Sequence, residues 1–137
     1  MYLIINTAYK DKAWIALANE EGVASVVSVV PEQNGHMDPL VGIQRALKEN
    51  SITLESLKGI VVNSGPGSFS SLRSGIVVGN TLSFGLGIPI VGIPMHDERP
   101  VAQSAALGII EVKKAKVWDI VSPEYGSEPN ISKPKNR

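Results

Sequence analysis

The stretch from Gly59 to Met95 carries a single charged side chain, Arg73. Glycine and proline interrupt it repeatedly, for example at Gly85, Gly87 and Pro89, so it is poorly suited to a membrane-spanning helix. A nearly uncharged segment must be buried, either inside the fold or against a partner. Its pattern predicts a strand, a Gly/Pro loop, a helix and a second strand: Gly59–Asn63, Ser64–Ser68, about Ser70 to Phe84, and Ile88–Ile93.

The residues before this stretch predict three more strands and a helix. The strands are Tyr2–Ala8, Ala13–Ala18 and Val23–Val30. Asp38 as N-cap and Pro39 at the first helical position predict a helix from Pro39 to about Asn50. The resulting order, β-β-β-α-β-α-β, is a mixed five-stranded sheet with helices packed on it. This is an α/β fold of the ribonuclease-H-like type, which is also the N-lobe of actin-like ATPases.

The pattern weakens after Pro94. Pro100–Ile110 is compatible with a short helix, Val117–Val121 with a last strand, and the remaining residues with an extended tail. We expect two regions, a ribonuclease-H-like N-lobe at 1–95 and a C-terminal region at 96–137.

Composition excludes several classes of chemistry. Without cysteine there is no disulfide, thiolate zinc site or cysteine nucleophile. The two histidines, His36 and His96, lie too far apart for a helical two-histidine motif, so we predict no metal site. The formal net charge is zero, which disfavours a strong stand-alone nucleic-acid binder. Residues 99–137 hold seven basic and four acidic side chains, typical of a solvated tail or a weak nucleic-acid contact. No basic region precedes Tyr2–Asn6, so we expect no signal peptide and a cytoplasmic protein.

Both predicted helices have more apolar surface than one core requires. Apolar residues from Met37 to Leu47 cover an arc of about 220°, whereas a surface helix needs about 100°. The second helix has no charged face beyond Arg73, and many of its residues are small, which permits close approach of another backbone. Two interpretations stay open: a partner surface formed by both helices, or a C-terminal region that folds back over them.

The Gly/Pro loop carries a family resemblance. Its position before a helix is compatible with an anion site, but the spacing is not that of a P-loop. The segment Gly65–Gly75 resembles the GPGSFTGLRIG motif of the TsaB (YeaZ) family, with eight of eleven positions matching and departures at Ser70, Ser71 and Ser74. The strand Gly87–Ile93 and the pair Gly35-His36 also resemble family segments, and Ser122–Pro129 is similar to the family's closing segment.

The resemblance implies a non-catalytic subunit of the tRNA threonylcarbamoyladenosine machinery, with a shortened second lobe and no cofactor. Such a subunit pairs with a TsaD-type catalytic subunit, or forms a homodimer when alone. A TsaE-type ATPase and tRNA join through the complex. The implied interface uses the two N-lobe helices: His36, Leu40, Ile43, Leu47, Ser70, Ser71, Arg73, Ser74, Val77, Val78, Thr81 and Leu82. The signature loop comprises Gly65, Pro66, Gly67, Ser68 and Phe69.

One residue argues against a Mg²⁺-dependent ATPase or nuclease. Related ATPases and nucleases place an aspartate on the first strand to organise Mg²⁺, whereas this strand carries Asn6, a poor ligand for a hard cation. The other functions left open are a small ATP-binding protein of the same superfamily and a homodimer without a tRNA role. We interpret Ser68 as an N-cap and His36 as a helix-start or interface residue. Arg73 is either a structural ion-pair partner or a partner contact.

Overall fold

A computed structural model describes residues 1–9, 12–31, 38–67, 69–95 and 99–123, with only the backbone described at Phe69. Its strands are β1 (Tyr2–Asn6), β2 (Ala13–Asn19), β3 (Gly22–Val29), β4 (Gly59–Asn63) and β5 (Ile90–Ile93). Its helices are α1 (Pro39–Glu49), α2 (Phe69–Leu86) and α3 (Val101–Val112), with a 3-10 turn at Leu54–Ser56. The predicted β-β-β-α-β-α-β order is confirmed.

The five strands form one mixed sheet in the order β3-β2-β1-β4-β5. The first three strands are antiparallel neighbours, whereas β4 pairs parallel to β1, and β5 pairs parallel to β4. The parallel pairing is required because α1 and α2 return the chain to the same end of the sheet before β4 and β5. This is the predicted mixed five-stranded α/β arrangement.

Helices cover both faces of the sheet. Alternate residues of β1 point to opposite sides: Leu3 and Ile5 pack in the core beneath α1 and α2, and Ile4 packs in the core beneath α3. All three are fully buried, which explains why β1 is an uninterrupted apolar run. The fold is therefore a three-layer sandwich with the sheet in the middle.

Local signals account for the helix ends. Asp38 Oδ1 accepts a hydrogen bond from Leu40 N at 3.0 Å, as expected of an N-cap. Helix α2 continues two residues past its predicted end and stops at Gly87, whose φ of +67° suits glycine. The N-cap prediction at Ser68 lies outside the described residues.

The region after β5 contains the expected helix and lacks the expected strand. Helix α3 packs on the sheet, and Lys113 Nζ lies 2.8 Å from Glu20 in the β2–β3 turn. The hydrogen bond from Lys113 lowers the pKa of Glu20 to about 2.

The prediction of a strand at Val117–Val121 is wrong, because these residues form an irregular segment. No finding tests the predicted division at residue 95. Among the described residues, no helix is both long and apolar enough to cross a membrane.

Candidate functional site

One ridge of α2 points away from the sheet and is exposed along the helix. The side chains of Ser70, Arg73, Val77, Thr81 and Phe84 follow one another at spacings of three or four residues and are all exposed. Val77 keeps 55% of its surface accessible, and Phe84 keeps 72%. We call these five residues the α2 ridge. It gives the longest described helix an uncovered face.

The glycines of α2 pack against this chain's own sheet. A Cβ atom on Gly79 would lie 2.6 Å from Val62 Cγ1, and one on Gly75 would meet the Thr7 side chain. Thr7 Oγ1 donates to Ser71 O at 2.7 Å and accepts from Gly75 N at 3.1 Å. The small residues therefore allow close packing of helix and sheet, and the expectation that they admit a partner's backbone is corrected for these two positions.

The remaining α2 residues of the predicted interface flank the ridge. Ser71, Ser74, Val78 and Leu82 are partly buried, and the last two pack against the core. Ser74 and Val78 help to line a shallow depression of about 350 Å³ beside Ser70, Arg73 and Val77. The predicted α2 residues therefore occupy one continuous surface, with Val78 and Leu82 at its base.

Fewer of the predicted interface residues are exposed on α1 than on α2. Leu40 and Val41 are 43% and 48% exposed. Ile43 and Leu47, in contrast, are 2% and 8% exposed and belong to the core beneath the helices. Assigning these two residues to an interface is corrected, because they face the sheet and no partner can reach them. The position of His36 lies outside the described residues.

The charged residues of this surface lie mainly on α1. Arg45 Nε is 3.8 Å from Glu49 Oε2, and both side chains are more than half exposed. Lys48 is exposed in the same turn of the helix. On α2, Arg73 supplies the sole charge. The described face thus combines two exposed apolar side chains, Val77 and Phe84, with polar and charged neighbours, the usual composition of a protein–protein contact.

The signature loop packs closely against the end of β1. A Cβ atom on Gly67 would lie 2.7 Å from Ala8 Cβ and 2.8 Å from Ala8 O. The peptide bond between Gly65 and Pro66 is cis, and Gly65 adopts a φ of +116° that suits glycine. Its described residues, Gly65, Pro66 and Gly67, therefore shape the entry to α2. Ser68 and the Phe69 side chain lie outside the described part.

Two buried asparagines occupy the carboxyl ends of the central strands. Asn63 Nδ2 donates to Asn6 Oδ1 at 2.9 Å, and Asn63 Oδ1 accepts from Gly65 N at 2.9 Å and Met95 N at 3.2 Å. Asn6 Oδ1 also accepts from Ala8 N at 3.1 Å. Both side chains are at most 3% exposed. The two amides hold the ends of β1, β4 and β5 together, and neither carries the negative charge that a carboxylate would offer a hard cation.

The described residues contain no cluster of three or more histidine, cysteine or carboxylate side chains. The side-chain oxygens of Asn6 and Asn63 accept hydrogen bonds from backbone N–H groups and from an amide, so they have little remaining capacity to bind a cation. The sequence singled out Asn6 but missed its partner Asn63. Its position at the end of a strand adjacent to β1 was the available signal.

The irregular segment after α3 reaches the far end of α2. Asn80 Nδ2 donates to Val121 O, and Val121 N donates to Asn80 Oδ1, both at 3.0 Å. Trp118 makes an edge contact with Phe84, with ring centroids 5.2 Å apart. The C-terminal region therefore contacts the far end of α2, and all five residues of the α2 ridge stay exposed. Sequence reasoning missed both Asn80 and Trp118.

Similar proteins agree with this architecture. The family model described as TsaD: tRNA N6-adenosine threonylcarbamoyltransferase matches residues 25–97. A curated protein of that name from Cereibacter sphaeroides is 37% identical over 73 residues, covering 51% of this chain. One from Listeria monocytogenes is 37% identical over 68 residues, covering 47%. This chain spans about a fifth of the length of these relatives, 20% in both cases.

The fold of this chain is also similar to that of two solved structures. YeaZ from Pseudomonas aeruginosa matches with a TM-score of 0.60 at 24% identity, covering 68% of this chain and 43% of its own. An uncharacterized protein with similarity to peptidase YEAZ from Pseudomonas aeruginosa matches with a TM-score of 0.54 at 22% identity, covering 68% and 42%. These matches bear out the predicted fold and the resemblance to YeaZ. Since the family model spans more than half of the chain, the protein belongs to the TsaD family, as a member with the YeaZ fold.

Proposed function

We propose that this chain is a non-catalytic scaffold subunit of the tRNA threonylcarbamoyladenosine modification machinery. It binds a TsaD-type catalytic subunit through α1 and α2. A TsaE-type ATPase and tRNA join through that complex, in the cytoplasm. Membership of the TsaD family supports the reaction class. The α2 ridge is the observation that carries the proposal, because Val77 at 55% exposure and Phe84 at 72% stand on the side of the helix that faces away from the sheet.

The side chains at the carboxyl ends of the central strands support the scaffold role. Asn6 and Asn63 bond each other and the neighbouring backbone, and neither is charged. Such a pair lacks the carboxylate that Mg²⁺-dependent phosphate chemistry requires. The same argument disfavours an independent ATP-binding protein of this superfamily. What the chain offers instead is a preformed helical face.

The surface suits a helical partner. The α2 ridge presents apolar or short side chains at Ser70, Val77 and Thr81, so a facing helix can approach closely. Leu40 and Val41 extend the apolar area onto α1. A second copy of the chain can use the same face, so homodimer and heterodimer compete for one surface.

The test is light scattering after gel filtration, on the chain alone and mixed with the TsaD-type subunit encoded in the same genome. We expect a one-to-one complex, formed at the expense of any homodimer. Val77→Glu places a charge on the α2 ridge and should abolish the complex while preserving the fold, because Val77 is 55% exposed. Substitutions at Val78 or Leu82 are less informative, since both side chains also support the core.

Leu107→Glu is the matched control. Leu107 is 41% exposed and lies on α3, on the opposite face of the sheet. This variant should bind as the unsubstituted chain does. A Val77→Glu variant that still forms the complex would remove α2 from the interface. Failure of the unsubstituted chain to bind the TsaD-type subunit would overturn the proposal as a whole.

A further inference from the structure

The far end of α2 carries an exposed aromatic patch that shares Phe84 with the α2 ridge and extends beyond the two helices. We define the patch as Phe84, Trp118 and Ile120, which are 72%, 61% and 77% exposed. The Phe84 and Trp118 rings meet edge-on, with centroids 5.2 Å apart and planes 65° apart. Exposed aromatic pairs of this kind are costly to hydrate and are enriched at the centres of protein interfaces.

The patch is held in place from below. The Asn80 side chain makes two hydrogen bonds, each of 3.0 Å, with the backbone of Val121. The Val121 side chain is partly buried against the core beneath α1 and α2. On the other side of Trp118, Asp119 N donates to Lys116 O at 3.3 Å and closes a turn. The patch is thus ordered before any partner arrives, which lowers the entropic cost of binding.

Trp118 adopts an unfavourable backbone conformation. Its φ is +80°, in the region that favours glycine, and a bulky side chain is uncommon there. This conformation brings the indole against Phe84 but leaves it 61% exposed, so the free chain recovers little of the cost by burial. Strain at an exposed aromatic residue suggests a contact that is completed by another molecule.

The patch continues the α2 ridge. Phe84 lies seven residues after Val77 and three after Thr81, so all three share one side of the helix. Helices α1 and α2, with 11 and 18 residues, are about 16 and 27 Å long. A standard interface buries about 800 Å² of accessible surface per partner, and a partner docked along α2 reaches Phe84 near the end of that helix. Two buried aromatic side chains contribute about 150–250 Å² each.

We propose that the aromatic patch forms the second part of the docking surface and inserts into an apolar hollow on the TsaD-type subunit. This inference rests on the proposed function, since it extends the same interface beyond the two helices. It assigns Trp118 as an anchor residue of the complex. The occupant is the TsaD-type subunit, because the patch lies in line with the ridge on which that subunit docks.

Trp118→Gly is the decisive variant. Glycine accepts a φ of +80° without strain, which offsets the lost contact with Phe84, so the free variant should stay folded and unfold close to the urea concentration of the unsubstituted chain. Its dissociation constant for the TsaD-type subunit should nevertheless rise about tenfold or more, as for an anchor residue. Isothermal titration calorimetry measures the affinity, and urea unfolding measures the stability. Leu107→Ala on α3 is the matched control and should change the affinity less than about twofold.

A spectroscopic readout reports burial directly. The chain contains two tryptophans, Trp14 and Trp118, and can be labelled with 5-fluorotryptophan. Adding the unlabelled TsaD-type subunit should shift the Trp118 ¹⁹F resonance, which is assigned by its absence in Trp118→Gly. The proposal falls if Trp118→Gly binds within about twofold of the unsubstituted chain while Val77→Glu does not bind. It also falls if the variant weakens only self-association. If the unsubstituted chain does not bind, this inference and the proposed function fall together.

Discussion

At the residue scale, Asn6 and Asn63 form a buried hydrogen-bond network at the carboxyl ends of the central strands. Asn63 accepts from Gly65 N and Met95 N and donates to Asn6 Oδ1, and so joins the signature loop to the ends of β1 and β5. No buried side-chain nitrogen or oxygen atom in the described residues lacks a hydrogen-bond partner. The network is therefore complete, and removing one member leaves several groups unpaired at once.

Asn63→Ala should destabilise the protein by about 3 kcal/mol, because two backbone N–H groups would lose their acceptor in a buried site. Urea unfolding measures the loss. Asn19→Ala provides the comparison: Asn19 Oδ1 accepts one hydrogen bond, from Glu21 N at 2.8 Å, at an exposed turn. Its cost should stay below about 1 kcal/mol. Equal effects of the two substitutions would show that the network contributes no more than an ordinary turn.

At the scale of the element, one side of α2 packs against the sheet and the other is open. Two of its glycines, Gly79 and Gly85, differ in how much space surrounds them. A Cβ atom on Gly79 would lie 2.6 Å from Val62 Cγ1 and 3.0 Å from Ile90 Cδ1, whereas one on Gly85 would meet nothing within 4 Å. Gly79→Ala should therefore destabilise by about 1–3 kcal/mol. Gly85→Ala should stabilise by about 0.5 kcal/mol through helix propensity. Thermal unfolding of both variants separates the two effects, and destabilisation by Gly85→Ala would contradict an open end of α2.

Sequence patterns predicted the order of the elements because caps and apolar periodicity act locally. Asp38 at the start of α1 and Gly87 at the end of α2 are such local signals. The same patterns did not distinguish residues that pack on the sheet from residues left for a partner. Ile43 and Val77 are both aliphatic and helical, yet one is 2% exposed and the other 55%. That difference depends on which face of each helix is turned toward the sheet.

The apolar run Val117–Val121 shows the same limit. Its β-branched composition predicts a strand, but its backbone has no sheet partner among the described residues. The Asn80 side chain instead takes both the N–H and the C=O of Val121. The backbone of Val121 is therefore hydrogen-bonded to a side-chain amide 41 residues away in the chain and not to a neighbouring strand. Local periodicity does not reveal such a long-range contact.

At the scale of the whole molecule, the second face of the sheet depends on α3. Tyr2, Ile4, Ala16 and Val61 are buried on that face together with Ile109 and Val112. Gly108 approaches so closely that a Cβ atom there would lie 2.5 Å from Val61 Cγ1. The helix that follows the predicted boundary at residue 95 is therefore part of the same three-layer body, and the layers should unfold together.

A chain ending at Arg99 should accordingly fail to fold. Removing α3 exposes Ile4 and Val61 and deletes Ile109 and Val112, and each buried aliphatic side chain contributes about 1.5–3 kcal/mol. The sum is comparable with the total stability of about 5–15 kcal/mol typical of a small domain. Circular dichroism and urea titration measure the outcome, with a chain ending at Pro123 as the control that keeps every described contact. A cooperative unfolding transition in the shorter chain would instead establish residues 1–95 as an autonomous N-lobe, with α3 as an accessory layer.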